Sequence, residues 1–571
     1  MKNLIYLILI LLLGCRPTIE EKTEYFTNPI MQGFYPDPSI CKVMDKFYMV
    51  QSSFSYFPGI PIFESSDLVN WKQIGHVMDR ASQLNTIGAG ISRGLFAPTI
   101  RYHNGMFYVI CTEVDRGGNF IVTATDPKGP WSNPIYFPQI DGIDPSLFFE
   151  GEKTYITYNS IPPDNKSLWS GHRTIRMWEL DREKMKLTGD QTILIDGGTD
   201  KSIKPVWIEA PHIYKVDEYY YLMCAQGGTS INHTEVVFRS KEIKGPYIPY
   251  EGNPVLTQKH LDPSRPNPIT TTGHSDMIQL DNGDWWAVFL GCRPYETVSK
   301  TEPGYFNIGR ETFLAPVQWT DGWPVINPDF EEVQFSYPVP VKGTTINENS
   351  WPTGNFQITE DFDKSKLDLY WTFLRTPQEK WWNLSEKPGF LTLETRSETC
   401  SELDNPSFIG RRLQHIKFEC SASLGYDPKD ENEKAGLVVF QNETHYYFLA
   451  KSIEANSPVV QLYQSTDTVG IQNHEAIKLL SSSPIDSGDL ELKIASQGAT
   501  LSFHWRQSDS SDWTLLEDNV DAKFLSTKVA GGFVGSFVGM HTTSMGQDSD
   551  SKALFDWFVY KGDDEVYKSL P

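Results

Sequence analysis

The sequence has few cysteines for its length, and none lies in a pattern that binds metal. Seven occur among 571 residues, with no Cys-x-x-Cys pair and no Cys/His spacing typical of a metal site. Four lie in apolar, strand-like stretches and are predicted to be buried free thiols: Cys41, Cys111, Cys224 and Cys292. A disulfide between Cys400 and Cys420 is left open. The cysteine pattern therefore excludes a cysteine-built metal centre.

Clusters of basic residues are also missing. The formal net charge is -23 at pH 7, and no run of Lys and Arg is visible. A surface that binds nucleic-acid phosphates needs a basic stripe, so we exclude nucleic acid as a partner. An acidic protein can still bind neutral ligands such as sugars. Aromatic residues make up 13% of the chain, which indicates a packed globular protein.

No apolar run is long enough to span a bilayer. The longest at the N-terminus, Leu4–Leu13, follows Lys2 and has the shape of a signal peptide. Its end, Leu12-Leu13-Gly14-Cys15, resembles a bacterial lipobox, in which Cys15 becomes the lipid-modified first residue. The alternative is an ordinary signal peptide with an incidental cysteine. The prediction is an exported bacterial lipoprotein, periplasmic or outer-membrane associated, with residues 1–15 removed or modified and only a lipid anchor in the membrane.

Convincing helical periodicity is missing as well, and a five-fold repeat takes its place. Each copy is a short motif followed by a polar turn and an aromatic run, which is the signature of an array of similar units. The copies are Asp37-Pro38-Ser39-Ile40, Ala97-Pro98-Thr99-Ile100, Asp144-Pro145-Ser146-Leu147, Ala210-Pro211-His212-Ile213 and His274-Ser275-Asp276-Met277.

Each copy predicts a β-hairpin. The proline should bias the residue before it towards extended geometry, and Asn-Gly or similar pairs favour the hairpin turn. The spacing leaves room for two more strands in each unit. Four strands in each of five units predict a five-bladed β-propeller over residues 24–335.

The pattern changes after the repeats. Tyr337-Pro338-Val339-Pro340 indicates a stiff connector within residues 336–350. Short strands separated by polar loops follow, so residues 351–571 are predicted to form a jelly-roll-like β-sandwich. The chain is thus expected to be all-β. The predicted sandwich strands include Leu437–Phe440, Tyr446–Leu449, Leu490–Ile494, Leu501–Trp505 and Leu554–Tyr560.

Three carboxylates fall at or beside the first position of the motif. Asp37 and Asp144 occupy it in the first and third copies, and Glu209 precedes it in the fourth. Blades around one axis would bring all three together. Glycoside hydrolysis needs a proton donor and a second, ionised carboxylate, and a third carboxylate can raise the pKa of the donor. The simpler interpretation is that each Asp before Pro only caps a turn.

Longer stretches around these residues resemble glycoside hydrolase family 43, in its β-xylosidase/α-L-arabinofuranosidase branch with a C-terminal sandwich. The resemblance covers nearly the whole mature chain. It is carried by Gly33-Phe34-Tyr35-Pro36-Asp37-Pro38, Gly142-Ile143-Asp144-Pro145, Trp207-Ile208-Glu209-Ala210-Pro211-His212, Gly309-Arg310-Glu311-Thr312-Phe313 and Gly322-Trp323-Pro324-Val325.

This resemblance implies an inverting single displacement. Asp37 would be the general base that activates water, Glu209 the general acid, and Asp144 the residue that orients Glu209 and raises its pKa. The carboxyl groups of base and acid should then lie about 6.5–9.5 Å apart.

The resemblance also implies residues that bind the substrate. Arg310 would contact sugar hydroxyls, and His274 would meet either a structural calcium ion or a water network at the axis, with no cofactor required. The alternative for His274 is a hydrogen-bonded structural histidine, and the alternative for Arg310 is a surface salt bridge. The remaining sugar-binding candidates, each of which could be plain core or loop, are Phe54, Phe96, Thr229 and Phe537.

The function implied is an exo-acting hydrolase that releases xylose, L-arabinofuranose or both from xylo- and arabino-oligosaccharides of the xylan or arabinoxylan type. Three alternatives stay open: a strict α-L-arabinofuranosidase, a non-catalytic carbohydrate-binding propeller, and a retaining propeller glycosidase. The oligomeric state is not set by the sequence.

Overall fold

The computed structural model describes residues 24–347 and 350–570, and within them the fold is nearly all β. Five sheets of four or five strands follow one another along the first half of the chain, which confirms the predicted five-bladed propeller. The blade strands are Ser39–Val43, Lys46–Val50, Gly59–Ser65 and Lys72–Met78; Gly94–Leu95, Thr99–His103, Met106–Val114, Gly118–Ala124 and Ile135–Tyr136; Ile143–Glu150, Lys153–Ser160, Thr174–Asp181 and Lys186–Asp196; Glu209–Val216, Tyr219–Gln226, Thr234–Ser240, Ile248–Pro249 and Leu256–Thr257; and Thr270–Gln279, Trp285–Cys292, Glu311–Thr320 and Trp323–Ile326.

The five motif copies lie on the innermost strands, at their starts in blades one to four and within Thr270–Gln279 in blade five. These strands contact their neighbours in a closed ring. Asp276 of the fifth copy ties the ring together from a fully buried position. Its carboxylate accepts hydrogen bonds from the Ser39 hydroxyl at 2.8 Å, Arg101 at 2.7 Å and the Tyr214 hydroxyl at 2.6 Å. Groups from blades one, two, four and five therefore meet at one carboxylate on the axis.

The segment before Asp37 closes the ring against blade five. Met31 and Thr312 exchange backbone hydrogen bonds of 3.2 and 3.1 Å, and the Tyr35 N–H donates to the Arg310 carbonyl at 3.1 Å. This pairing brings Asp37, which follows Tyr35 closely in the chain, next to Arg310. Farther out, strand Tyr25–Thr27 pairs with Ser336–Pro338, so the start of the predicted connector is a strand.

The expectation that proline holds the preceding residue in extended geometry is wrong at three copies of the motif. Asp37, Asp144 and Ala210 have φ values of 56°, 54° and 51°, and His274 at the same position of the fifth copy has 54°. In the third, fourth and fifth copies a register shift, typical of a β-bulge, follows. A bulge re-aims side chains, and strained backbone of this kind concentrates at functional sites.

The hairpin turns agree with the sequence prediction. Left-handed residues occupy them, as expected for Asn, Asp and Gly: Asn104, Gly105, Gly151, Asp217 and Gly283.

The second half of the chain is a sandwich of two eight-stranded sheets. All five strands predicted from the sequence are confirmed, each within a longer strand. One sheet consists of Gln357–Glu360, Trp382–Asn383, Leu391–Glu394, Lys417–Gly425, Leu490–Gln497, Thr500–Gln507, Thr514–Asp521 and Lys552–Gly562; the other consists of Tyr56–Phe57, Thr372–Leu374, Phe408–Arg412, Lys434–Asn442, His445–Glu454, Ser457–Ser465, Ile477–Pro484 and Phe537–Thr543.

One strand of the second sheet comes from the propeller. Tyr56–Phe57, which lies between two blade-one strands in the chain, pairs with Thr372–Leu374 at the sheet edge. A buried apolar cluster joins Phe34 and Phe54 of the propeller to Phe440 of the sandwich. The two domains therefore share both a sheet and a core.

Helices are short throughout the described residues, and none of them could span a membrane. They are the α-helix Thr527–Ala530 and the 3-10 turns Pro163–Asn165, Lys201–Ile203, His474–Ala476, Ala522–Leu525 and Glu565–Lys568. All six cysteines after Cys15 are buried and free, which confirms the four predicted thiols and leaves Cys400 and Cys420 unbonded. Cys15 lies outside the described residues.

Candidate active site

A cavity of about 310 Å³ is lined by residues at and beside the motif copies on the innermost strands. It collects eight of the nine residues proposed from the sequence for catalysis, sugar binding or axial metal: Asp37, Asp144, Glu209, His274, Arg310, Phe54, Phe96 and Thr229. The motif copies in blades one, three, four and five supply the three carboxylates and the histidine, at the first position of the motif or, for Glu209, directly before it. Blade two supplies Phe96 and Ala97, which carry no charge.

Three polar groups surround the carboxylate of Asp37, which lines this cavity. The Arg310 guanidinium donates to Oδ1, the Ser52 hydroxyl donates to Oδ2 at 2.5 Å, and His274 Nδ1 lies 3.6 Å from Oδ1. Burial opposes ionisation of Asp37. The positive charge of Arg310, the neighbouring His274 and the hydrogen bond from Ser52 nevertheless lower the pKa of the Asp37 carboxyl below its usual value.

Glu209 has the opposite electrostatic environment. Burial raises the pKa of Glu209 well above its usual value, and the negative charges of Asp144 and Asp37 add to this effect. Burial, and then the charge of Asp37, also raise the pKa of Asp144 to about 7. The surroundings therefore favour the ionised form of Asp37 and the protonated form of Glu209. Two carboxyl groups with separated pKa values can act as base and acid in one reaction.

An aromatic wall covers one side of the cavity and consists of Phe54, Phe96 and Phe533. The ring centroids of Phe54 and Phe96 are 5.1 Å apart, and Phe533 stacks on Phe54 at 6.3 Å. Phe533 belongs to the sandwich and is 39% exposed. Such a wall suits the C–H face of a sugar ring.

Phe537, predicted to bind the sugar, does not line the cavity. Its side chain is fully buried and stacks on Tyr56 with ring centroids 3.8 Å apart. Phe537 begins a sandwich strand, and the strand's pleat turns its ring into the shared core. The loop just before that strand carries Phe533 instead, and its backbone packs against Ile308 and Gly309 of blade five.

Two cationic groups at or beside the cavity, and an aromatic ring next to one of them, were not predicted from the sequence. Trp207 lines the cavity, and the guanidinium of Arg173 lies 3.7 Å from its ring centroid. Arg93 also lines the cavity and pairs with Asp115. Trp207 could have been found, because it stands two residues before Glu209 in the fourth repeat. Arg173 and Arg93 have no distinguishing sequence context.

His274 does not have the partners of a protein-built metal site. Burial lowers the pKa of His274 to about 4, so the ring is neutral. In the part of the chain that the structure describes, no group of three or more His, Cys, Asp or Glu side chains could hold a metal ion. Calcium takes six to eight oxygen ligands, whereas the nearest carboxylate, Asp37, is already paired with Arg310. These residues therefore do not form a calcium cage built from protein ligands alone. A calcium ion that meets His274 stays a prediction.

Two family models match the chain. One, described as Glycosyl hydrolases family 43, covers residues 26–324. The other, described as Beta xylosidase C-terminal Concanavalin A-like domain, covers residues 359–561.

Individual proteins match over nearly the full length. A xylosidase/arabinosidase of Butyrivibrio fibrisolvens is 38% identical, over 93% of this chain and 98% of its own. A non-reducing end alpha-L-arabinofuranosidase of Bacteroides ovatus is 37% identical, over 98% and 99%. The crystal structure of a GH43_12 protein retrieved from a capybara gut metagenome has a TM-score of 0.82 and 39% identity, covering 92% of this chain and 96% of that one.

Proposed function

The chain belongs to glycosyl hydrolases family 43 and is a glycosidase, and on this premise we propose that it acts on chain ends. It releases xylose, L-arabinofuranose or both from the non-reducing ends of xylo- and arabino-oligosaccharides of the xylan or arabinoxylan type. The names of the two relatives, one a xylosidase/arabinosidase and one an arabinofuranosidase, support both sugars.

The observation that carries the proposal is the separation of pKa values between Asp37 and Glu209 in one cavity. In the proposed mechanism Asp37, kept ionised by Arg310, takes a proton from the attacking water. Glu209, kept protonated by burial and by Asp144, donates its proton to the leaving oxygen. A single displacement of this kind inverts the anomeric centre.

The shape of the cavity supports attack at chain ends. Its volume of about 310 Å³ is at the lower end of the range for ligand pockets. Phe533 reaches it from the sandwich and stacks on Phe54, so the aromatic wall is built across two domains. A small pocket walled in this way takes a terminal sugar, whereas attack in mid-chain needs an open groove.

A strict α-L-arabinofuranosidase is the second candidate, and the 37% identity to the Bacteroides ovatus arabinofuranosidase favours it. Rates on nitrophenyl β-xyloside and nitrophenyl α-L-arabinofuranoside separate the two. Activity on both sugars is expected, and activity on the furanoside alone would replace the first proposal with the second.

The catalytic assignment is tested with Glu209→Gln. We expect turnover to be lost while the thermal midpoint and the binding of product sugar persist. Glu402→Gln is the matched control, because Glu402 is a buried sandwich glutamate whose pKa is also raised by burial. Unchanged turnover in the Glu209 variant would end the assignment. Proton NMR of the first anomer formed tests inversion, and a retained configuration would exclude the single displacement.

We also propose that the protein is an exported lipoprotein anchored through Cys15, and the lipobox-like sequence is what supports this. Cys15→Ser should move the protein from the membrane fraction to the soluble fraction. An unchanged distribution would favour a different leader.

A further inference from the structure

Glu209 has an uncharged neighbour to which the mechanism has so far given no role. The charged groups that act on this carboxyl are Asp144, Asp37, Arg310 and Arg173. In addition, His233 Nε2 lies 4.0 Å from Glu209 Oε1. The His233 side chain is 1% exposed, so the pair is shielded from bulk solvent.

The tautomer of His233 is fixed by its other nitrogen. Nδ1 lies 3.1 Å from the Thr271 carbonyl oxygen, and because a carbonyl can only accept, Nδ1 must carry the proton. Burial lowers the pKa of His233 to about 4, so the ring holds one proton at neutral pH. Nε2 is therefore a bare lone pair. It has no hydrogen-bond partner among the described residues.

Two glycines allow this placement of His233, one beside its ring and one beside the backbone that leads to it. A Cβ on Gly273 would lie 2.8 Å from His233 Nδ1 and Cε1. A Cβ on Gly227, where φ is +106°, would lie 2.0 Å from the Asn232 carbonyl oxygen and would block the loop that leads to His233. The ring of His233 and the backbone that leads to it thus each pack directly against a glycine.

We propose that His233 is a positioning residue that accepts the carboxylic O–H of Glu209 and holds this residue in its protonated form. The inference rests on the proposed function, in which Glu209 is the acid. At 4.0 Å the two groups do not form a hydrogen bond, and a rotation of the carboxyl that shortens the distance by about 1 Å would make one. An ionised Glu209 would meet only the lone pair, so His233 favours the protonated state. The carboxyl must then turn its O–H from Nε2 to the leaving oxygen before the proton is transferred.

The test compares two substitutions that separate the ring nitrogens. His233→Asn keeps an amide N–H near Nδ1 for the Thr271 carbonyl but removes the acceptor near Glu209. His233→Gln places an amide oxygen near the position of Nε2. His541→Asn is the matched control, because His541 is a buried sandwich histidine, 1% exposed, whose Nδ1 lies 3.0 Å from the Ser407 carbonyl oxygen.

The readout is the basic limb of the pH profile of kcat/KM, which reports the pKa of the acid in the free enzyme. Loss of the acceptor lowers that pKa, so His233→Asn should move the limb to lower pH by about half to one unit. His233→Gln should restore most of this shift, and His541→Asn should leave the limb in place.

A role that is only structural would give a different pattern. In that case His233→Asn and His541→Asn would both lower the thermal midpoint while the basic limb stays at its wild-type position, and this result would overturn the inference. Failure of the proposed function is separate, because it appears as activity retained by Glu209→Gln. If His233→Asn does not fold, His233→Gln keeps the inference falsifiable: a limb displaced as far as in Asp144→Asn, which removes a charge beside Glu209, would contradict an acceptor role.

Discussion

Replacing Arg310 should shift the acid limb of the pH profile, because Arg310 is the main group that keeps Asp37 ionised. Its guanidinium donates to Asp37 Oδ1, and Asp37 is only 4% exposed. In Arg310→Met the carboxylate keeps the Ser52 hydroxyl at 2.5 Å and the neutral His274. Burial then acts on a charge that has no cationic partner.

The size of the shift follows from the lost contact. A hydrogen bond to a charged group contributes about 1.5–3 kcal/mol, and one pKa unit corresponds to about 1.4 kcal/mol. The pKa of Asp37 should therefore rise by roughly one to two units. The sign is fixed, because a base with a raised pKa stays protonated to higher pH. Activity is then lost on the acid side first.

The assay is kcat/KM for an aryl glycoside across pH, in wild type, Arg310→Met and Arg310→Lys. Arg310 also lines the cavity, so the height of the profile should fall in both variants, and only the position of the acid limb tests the argument. The lysine variant keeps a cation and should shift less. An acid limb in Arg310→Met that coincides with the wild-type limb would show that Asp37 is not the base or that Arg310 does not set its pKa.

Three further predictions concern the cavity. Phe533→Ala should raise KM with little change in the thermal midpoint. Phe537→Ala should instead lower the unfolding free energy by about 3–5 kcal/mol, because its ring is fully buried. KM values and urea titrations of both variants test this, and the reverse pattern would refute the placement of the two rings. Asp144→Asn should move the basic limb to lower pH because it removes a charge that raises the pKa of Glu209, and an unmoved limb would contradict this. If calcium binds at His274, EDTA should lower the thermal midpoint and added calcium should restore it. An unchanged midpoint would contradict calcium at this site.

The repeat made the architecture and the three carboxylates predictable from the sequence. A motif that recurs five times reports its own period, and residues at equivalent positions of a ring must face the same axis. Turn residues such as Asn104 and Gly283 likewise carry their preference locally. Contacts across the domain boundary carry no such signal. The pairing of Tyr56–Phe57 with a sandwich strand and the approach of Phe533 to Phe54 join residues that are hundreds of positions apart and share no motif.

The error about Phe537 has a physical origin as well. In a strand, successive side chains point to opposite faces, so an aromatic residue near the cavity lines it only if the register permits. Phe537 faces Tyr56 in the shared core. Phe533 lies in the loop after Gly531 and Gly532, which both have positive φ. A loop free of the pleat can aim its aromatic ring where the strand cannot.

The backbone at the motif explains which blades carry chemistry. Proline disfavours helical geometry in the residue before it and pushes that residue to extended φ, yet Asp37, Asp144 and Ala210 are left-handed. Each such residue costs about 1–3 kcal/mol and persists only where surrounding contacts enforce it. Ala97, in the blade whose motif copy supplies no carboxylate or imidazole to the cavity, is not among the left-handed residues. The left-handed backbone thus coincides with the blades whose motif copies supply a carboxylate or imidazole, and in blades three, four and five a register shift accompanies it.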